Sequence, residues 1–294
     1  MYVIFGAAGN VGRAAAQVLR AAGHAVRAVV RSPAQGETLA RLGCQIALAD
    51  LDDEASVRRA LDGAQAVQML CPVAHRADDP AAAMRQMIGN AARALRACPQ
   101  AHVLAVSDYG AELDAGTGIT LLYRELEARF KEAVPHLTLL RSAEHMQNWG
   151  RVAPVAMASG YLPTLHHPLD QRFPTVSASD VGTVAAQLLL AGHDGKGARV
   201  VSVEGPRRYD ANEVARILGQ ACGREIVAHA VPRSDWAVLL SRAGMTRNLA
   251  DLIIETNDAQ NDGRIDAQPG TERRFGTTGL DQVLAALVSA AGAR

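Results

Sequence analysis

The sequence predicts a doubly wound α/β fold, a parallel sheet with helices on both faces and a smaller α/β lobe toward the C-terminus. Three observations carry that prediction. Short apolar runs of strand type recur at Tyr2–Phe5, Ala25–Val30, Gln45–Leu48, Ala66–Leu70, His102–Val106 and Thr138–Leu140. Most of them are separated by Ala-, Arg- and Leu-rich stretches of helical period, and continuous apolar strands joined by helices pack as a parallel sheet buried on both faces. Gly6, Gly9 and Gly12 stand three apart between the first apolar run and the first helical stretch, in "MYVIFGAAGNVGRAAAQVL".

The first run feeds straight into those glycines. Gly6 permits a tight turn off the strand, Gly9 lets backbone approach a phosphate with no Cβ in the way, and Gly12 lets the new helix pack against the sheet. With Asn10 and Val11 they open a helix whose unpaired N–H groups and positive dipole end favour an anion. Strand, glycine turn and amphipathic helix at the head of a series of βα units is the setting a dinucleotide fingerprint requires, so a Rossmann-type domain is expected.

The second run ends in Arg31, within "VVRSPAQ". An acidic residue there would accept from the ribose hydroxyl of NAD, whereas the planar fork of arginine suits the 2′-phosphate of NADP. NADP(H) is therefore expected, with NAD(H) open; Ser32 and Arg13 can assist, and a merely solvated Arg31 is the plain alternative. Asp50 ends the third run, where it either accepts from the adenine amino group or caps the helix beginning near Asp53. Leu70, Cys71 and Pro72 follow the fourth run and are expected to line the nicotinamide side, Cys71 as packing rather than as a redox thiol. Ser107, Asp108 and Tyr109 in "AVSDYG" fall at the carboxyl end of the fifth, where open α/β sheets hold their ligands. For Asp108 a turn-forming role is equally open.

After "RSAEHMQNW" the pattern loosens into "RVAPVAMASGYLPTLHHPLDQRFPTV", read as irregular, cleft-lining backbone. A helix over Val181–Leu190, a strand over Arg199–Val203 and a helix in "YDANEVARILGQACG", with an Asp N-cap and a Gly stop, suit a smaller lobe. The polar tail "NDAQNDGRIDAQPGTERRFGTTG" reads as loop. Residues 1–150 are thus expected to form the nucleotide-binding domain and 151–294 the smaller substrate-binding lobe, with some later segments returning to the sheet.

Composition narrows the partners. The 294 residues carry 30 basic and 30 acidic side chains, so there is no global field to draw in nucleic acid or an anionic membrane. Aromatic residues make up only 4%, too few for base-stacking platforms. Cys44, Cys71, Cys98 and Cys222 are scattered singly, as reduced thiols of a cytoplasmic protein would be, with neither a disulfide frame nor a zinc pattern. Neither a leader nor a membrane span is expected. His166 and His167 are adjacent, so they do not face one metal as an i, i+4 pair does, and they read as loop. A GxSxG elbow is missing, which argues against an α/β hydrolase.

Taken in order, "GAAGNVG", "VVRSPAQ", "LADLDDEASVRRALDGAQAV", "TLLRSAEHMQN", "FPTVSASDVGTVAA" and "EGPRRYDANEVARILGQACGREI" resemble the NmrA-like branch of the atypical short-chain dehydrogenases, which includes NAD(P)H-dependent quinone reductases. The resemblance covers nearly the whole chain. It implies an NADP-preferring Rossmann domain, a small C-terminal lobe and a substrate lying between them. It also leaves two functions open. One is an NADPH-dependent oxidoreductase passing hydride to a quinone or similar small acceptor; the other is a non-catalytic NADP(H)-sensing regulator that binds a protein partner. The Tyr-x-x-x-Lys dyad of typical short-chain dehydrogenases is absent, since Glu127 and Gly192 stand four residues before Lys131 and Lys196, the only lysines. Several NmrA-like relatives place a lysine on the helix after the fifth strand; Tyr123, beside Arg124, takes that place here. Tyr123 is expected either to donate a proton, its pKa lowered by a neighbouring arginine, or simply to pack. Ser107, Tyr109 and Tyr123 are the candidate donors to charge developing on an acceptor.

Overall fold

The computed structural model describes residues 1–193, 195 and 197–292; Lys196, one of the two lysines weighed above, lies outside the described residues. The chain runs β1 (Tyr2–Ile4), α1 (Asn10–Ala21), β2 (Val26–Val30), α2 (Pro33–Arg41), β3 (Gln45–Leu48), α3 (Glu54–Ala60), β4 (Ala66–Met69) and α4 (Pro80–Leu95). It continues through β5 (His102–Asp108), α5 (Ile119–Ala133), β6 (His136–Ser142), β7 (Glu144–His145), α6 (Ala153–Ser159), β8 (Tyr161–Thr164), β9 (Thr175–Val176) and α7 (Ala178–Ala191). Last come β10 (Gly197–Glu204), α8 (Ala211–Cys222), β11 (Val227–Ala230), α9 (Trp236–Arg242), α10 (Arg247–Asn261), β12 (Glu272–Phe275) and α11 (Leu280–Gly292).

Eight strands form one parallel sheet in the order β12-β10-β6-β5-β4-β1-β2-β3, as the doubly wound pattern predicts. The chain starts in the middle at β1, winds outward to β3, then returns to the other side of β1 at β4. That reversal opens a crevice at the carboxyl ends of β1 and β4, where sheets of this class take their ligands. The inner strands are apolar throughout because helices cover both faces: every residue of β4 is buried, as are all of β5 but its last. One face carries a core with Ile4, Leu19, Leu104, Tyr109, Leu140 and Val203; the other packs Phe5, Met69, Ile88, Leu126 and Leu139.

α7 returns to the sheet and crosses α1 closely. A Cβ on Gly182 would collide with the Val11 carbonyl oxygen and lie 2.8 Å from Ala14 Cβ, so only glycine fits the crossing. A smaller unit gathers α6, α8, α11 and the β8–β11 pair around Trp149, Leu162, Phe173, Leu218 and Leu284. α8 starts with a capping box, Asp210 accepting from Glu213 N at 2.8 Å, and stops at Gly223 in the left-handed region at φ +72°, as its sequence predicts.

Two segments depart from the sequence reading. The stretch after Trp149, expected to be irregular, contains α6 and two short strands; β8 pairs with β11 and β9 with β7. The tail, expected to be loop, carries β12 as the sheet's edge strand. Its sequence is polar because the side chains of an edge strand stand in solvent, where Arg273 and Arg274 pair with Glu204 and Glu272. Both β10 and β12 come after residue 150 yet complete the large sheet. Among the described residues no helix is long and apolar enough to cross a membrane.

Candidate functional site

The glycine turn sits at the crevice. Gly6 has φ +71°, a conformation other residues rarely adopt, and Gly9 N donates to Gly6 O at 3.0 Å to close the turn. Gly12 is required for a different reason from the one expected. Its missing Cβ would lie 2.7 Å from the Gly6 carbonyl carbon and 2.8 Å from Ala7 Cα, so it makes room for the loop's own backbone rather than for the sheet. Gly6, Ala8, Gly9 and Asn10 are exposed while Val11 and Gly12 are buried. Gly9 is the N-cap of α1 and supplies no side-chain acceptor, so the first-turn N–H groups face outward without a cap. This cradle fits the pyrophosphate of a dinucleotide.

Arg31 follows β2 directly and is exposed; its backbone N–H donates to Gln35 Oε1 at 3.1 Å. Arg13 donates to Asn10 Oδ1 at 3.0 Å on the rim of the same turn. Asp50 Oδ1 accepts from Asp52 N at 3.1 Å, and it is Asp53 that caps α3, accepting from Ala55 N at 3.0 Å. Leu70 is half-buried against the turn, 3.5 Å from where a Gly6 Cβ would stand. Cys71 is fully buried and burial pushes its thiol up to about 12, which suits packing and not redox chemistry.

The three candidate proton or hydrogen-bond donors are not brought together. Ser107 is 2% exposed and its hydroxyl donates to Glu127 Oε1 at 2.7 Å. Glu127 in turn holds Arg141 by two arms, Nε and Nη2, each at 2.7 Å, while Arg141 Nη1 reaches Glu112 at 2.8 Å and Gln268 at 2.6 Å. A hydroxyl has one proton, and Ser107 spends it inside this network. Tyr109 turns to the opposite face of the sheet, 2% exposed, its phenol without a partner among the described residues. Burial first, then Glu204, moves its pKa upward.

Tyr123 is half-buried on α5 beside Asp108 and Cys71. The expected lowering by an arginine does not occur. Arg124 donates instead to the Glu112 carbonyl at 2.7 Å, and burial, then Asp108 and Cys71, push the Tyr123 phenol up. Asp108 itself, half-buried at the end of β5, is pushed up to about 7 by burial and by Glu144, with the Tyr109 backbone N–H opposing. Glu144 lies on β7. Burial alone would raise it, but His166, its Nε2 3.4 Å from Glu144 Oε2, and Asn148, at 3.4 Å from Oε1, hold it below the usual carboxylate range. His166 lies in a loop, as its sequence reads, but it is buried there and stacks on Phe173 with ring centroids 3.9 Å apart.

Glu144, His145 and Asn148 all fall in "AEHMQN", a segment singled out for resemblance but given no role. The available signal was an acidic residue and a histidine directly after an apolar strand, at the carboxyl edge beside the crevice. Among the described residues no group of His, Cys, Asp and Glu is arranged to hold a metal.

A doubly wound sheet with an uncapped glycine cradle at its switch point defines a nucleotide-binding protein of the Rossmann class. The signature of a family described as NAD(P)H-binding matches residues 6–192, and the chain belongs to that family. Quinone oxidoreductase 2 of Escherichia coli is 26% identical over 263 residues, 87% of each chain. The NADPH complex of that enzyme superposes over 98% of this chain and 100% of its own, with 22% identity and a TM-score of 0.79. Triphenylmethane reductase of Citrobacter sp. shares the fold over 98% and 99% of the two chains at 18% identity and a TM-score of 0.79. A double mutant of NmrA shares it over 97% and 94% at 14% identity and a TM-score of 0.71.

Proposed function

We propose that the protein is an NADPH-dependent reductase that passes a hydride to a quinone or a similar small acceptor. The observation that carries this reading is the division of one sheet edge. An open glycine turn flanked by Arg31 lies at the β1–β2 end, and the partly exposed Asp108 and Tyr123 stand together at the β4–β5 end beside the buried Cys71. The likeness to an E. coli quinone oxidoreductase points the same way.

Gly6, Gly9, Asn10, Val11 and Gly12 would hold the pyrophosphate on the N-terminus of α1, Arg31 the 2′-phosphate and Asp50 the adenine amino group. Leu70 and Cys71 would wall the nicotinamide side. Bound there, the cofactor supplies the hydride, and the chain's part is to orient it and to keep water from the reacting edge. A sensor of NADP(H) redox state acting on a protein partner is the second reading. The missing dyad favours it: Lys131 has Glu127 four residues before it and stands 3.7 Å from that carboxylate, not beside a tyrosine.

Following NADPH absorbance with purified protein and a panel of quinones and aldehydes separates the two. Oxidation well above the buffer rate is expected for at least one quinone. Tight NADPH binding with no rate above buffer across the panel would replace the reductase with the sensor.

Cofactor preference has its own test. Arg31→Glu is expected to weaken NADPH by about 1.5–3 kcal/mol, the worth of a charge-assisted hydrogen bond, and to leave NADH nearly untouched. Calorimetric titration with both cofactors reads this directly, and equal losses would show that Arg31 does not select.

A further inference from the structure

Reduction of a carbonyl or quinone needs a proton as well as a hydride. Ser107 donates its hydroxyl hydrogen bond to Glu127, Tyr109 faces the other side of the sheet, and burial makes the Tyr123 phenol a poorer acid than free tyrosine. We propose, resting on the reductase reading above, that Asp108 is the proton donor of the reaction, its carboxyl placed by the end of β5 against the oxygen of the acceptor.

The sheet register puts it there. Asp108 is opposite Ser142, two residues before Glu144, while Met69 of β4 is opposite Ala105, so that Cys71 and Asp108 leave adjacent strands at the same edge. The titratable groups facing Asp108 are Glu144 from β7 and Tyr123 from α5, with Cys71 behind Tyr123. None of them is a cation, and the Tyr109 backbone N–H alone favours the ionised carboxyl. Glu144 is itself held below the usual carboxylate range by His166, Asn148 and the charge of Arg151, which leaves a negative charge next to Asp108 and keeps the proton on it near neutrality. An acid that titrates near the working pH is the most effective donor, and one that keeps some exposure can be reloaded from water.

The balance is simple. The acceptor gains two electrons with the hydride that NADPH supplies. The Asp108 O–H bond breaks as an O–H bond forms on the acceptor oxygen that received the electron pair, and the Asp108 carboxylate then takes a proton from water. NADPH is oxidised, the acceptor reduced, and one proton is consumed overall; for a quinone the product is the hydroquinone.

Two measurements test the assignment. In the cofactor-free protein, a carboxyl infrared titration taken as the difference between wild type and Asp108→Asn is expected to show one group protonated at slightly acid pH and ionising near pH 7. With 1,4-benzoquinone and NADPH, kcat/KM is expected to be level in mildly acid solution and to fall about tenfold per pH unit above that ionisation, because the donor must carry its proton. Asp108→Asn is expected to lower kcat by roughly 10²–10⁴ with NADPH affinity unchanged, and Asp108→Glu to recover part of the rate. A carboxyl titrating in the ordinary aspartate range, a flat pH profile through neutrality, or Asp108→Asn turning over at the wild-type rate would each overturn the proposal. If Asp108→Asn does not fold, the wild-type pH profile decides alone. Absence of NADPH oxidation with every acceptor would fell the reductase reading itself, whatever the infrared titration shows.

Discussion

Glu127→Ala is expected to destabilise the protein by about 3–5 kcal/mol, a large share of the roughly 5–15 kcal/mol that holds a domain folded. Arg141 sits on β6, 3% exposed, between β5 and β10. Burial alone would lower its pKa, but the hydrogen bonds to Glu127 and the charges of Glu127 and Glu112 more than offset this, so the guanidinium is charged in the fold. Removing Glu127 takes away two of its charge-assisted hydrogen bonds and leaves it the half-exposed side of the network, Glu112 and the neutral Gln268, besides stranding the Ser107 hydroxyl. The loss is therefore the cost of an uncompensated buried charge and not the net worth of the pair. A chemical unfolding series distinguishes these. Glu127→Ala with Arg141→Met should recover much of the loss, since apolar replacement of both partners is often neutral. A single-mutant effect below about 1 kcal/mol would show that water reaches Arg141 and that the network contributes little.

That network explains why the donors read from sequence fall apart in space. Ser107, Tyr109 and Tyr123 lie close together along the chain, and position at a strand end made them equal candidates. Alternation along β5 turns Ser107 toward α5 with Val103 and Ala105, and Tyr109 reaches the opposite core only because the strand has ended at Asp108. Where β5 ends is set by its pairing with β6, whose last pair is Asp108 with Ser142, and such tertiary pairing is not encoded in a local pattern.

The elements written in local chemistry were legible. The apolar runs marked the inner strands because burial on both faces leaves no place for polar residues. The Gly6 turn and the Asp210–Gly223 helix carried their own start and stop signals. What escaped was either an edge or a meeting of distant segments. β12 reads "ERRF" because its side chains are solvated, and β8 reads "YLPT", with a proline, because it belongs to a two-stranded edge pair. Gly182 looks like any helical glycine until α1 is laid across it. Glu144 meets both Asp108 and His166 only after β7 has paired with β9.

The largest effect on function is expected at the glycine turn, where two substitutions separate binding from folding. A Cβ on Gly9 would touch only the Gly6 carbonyl oxygen, at 3.3 Å, and the residue is exposed with extended backbone, φ −81° and ψ 172°, which any residue adopts. Gly9→Val should therefore fold with nearly wild-type stability. Its branched side chain, however, would occupy the space before the uncapped N–H groups of α1, which is where a pyrophosphate needs to approach. A loss of NADPH affinity of 100-fold or more, about 2.7 kcal/mol, is expected by calorimetry. Gly12→Ala should behave differently. There the added carbon strikes the backbone of Gly6 and Ala7, which has no flexible end to swing aside, so the turn must open from beneath. Because α1 is also pinned against α7 at Gly182, the helix cannot retreat, and strain of about 1–3 kcal/mol should appear in unfolding together with the loss of binding. Wild-type NADPH affinity in Gly9→Val would mean that the phosphates do not pass over this turn, and wild-type stability in Gly12→Ala would mean that the turn yields where its backbone contacts say it should not.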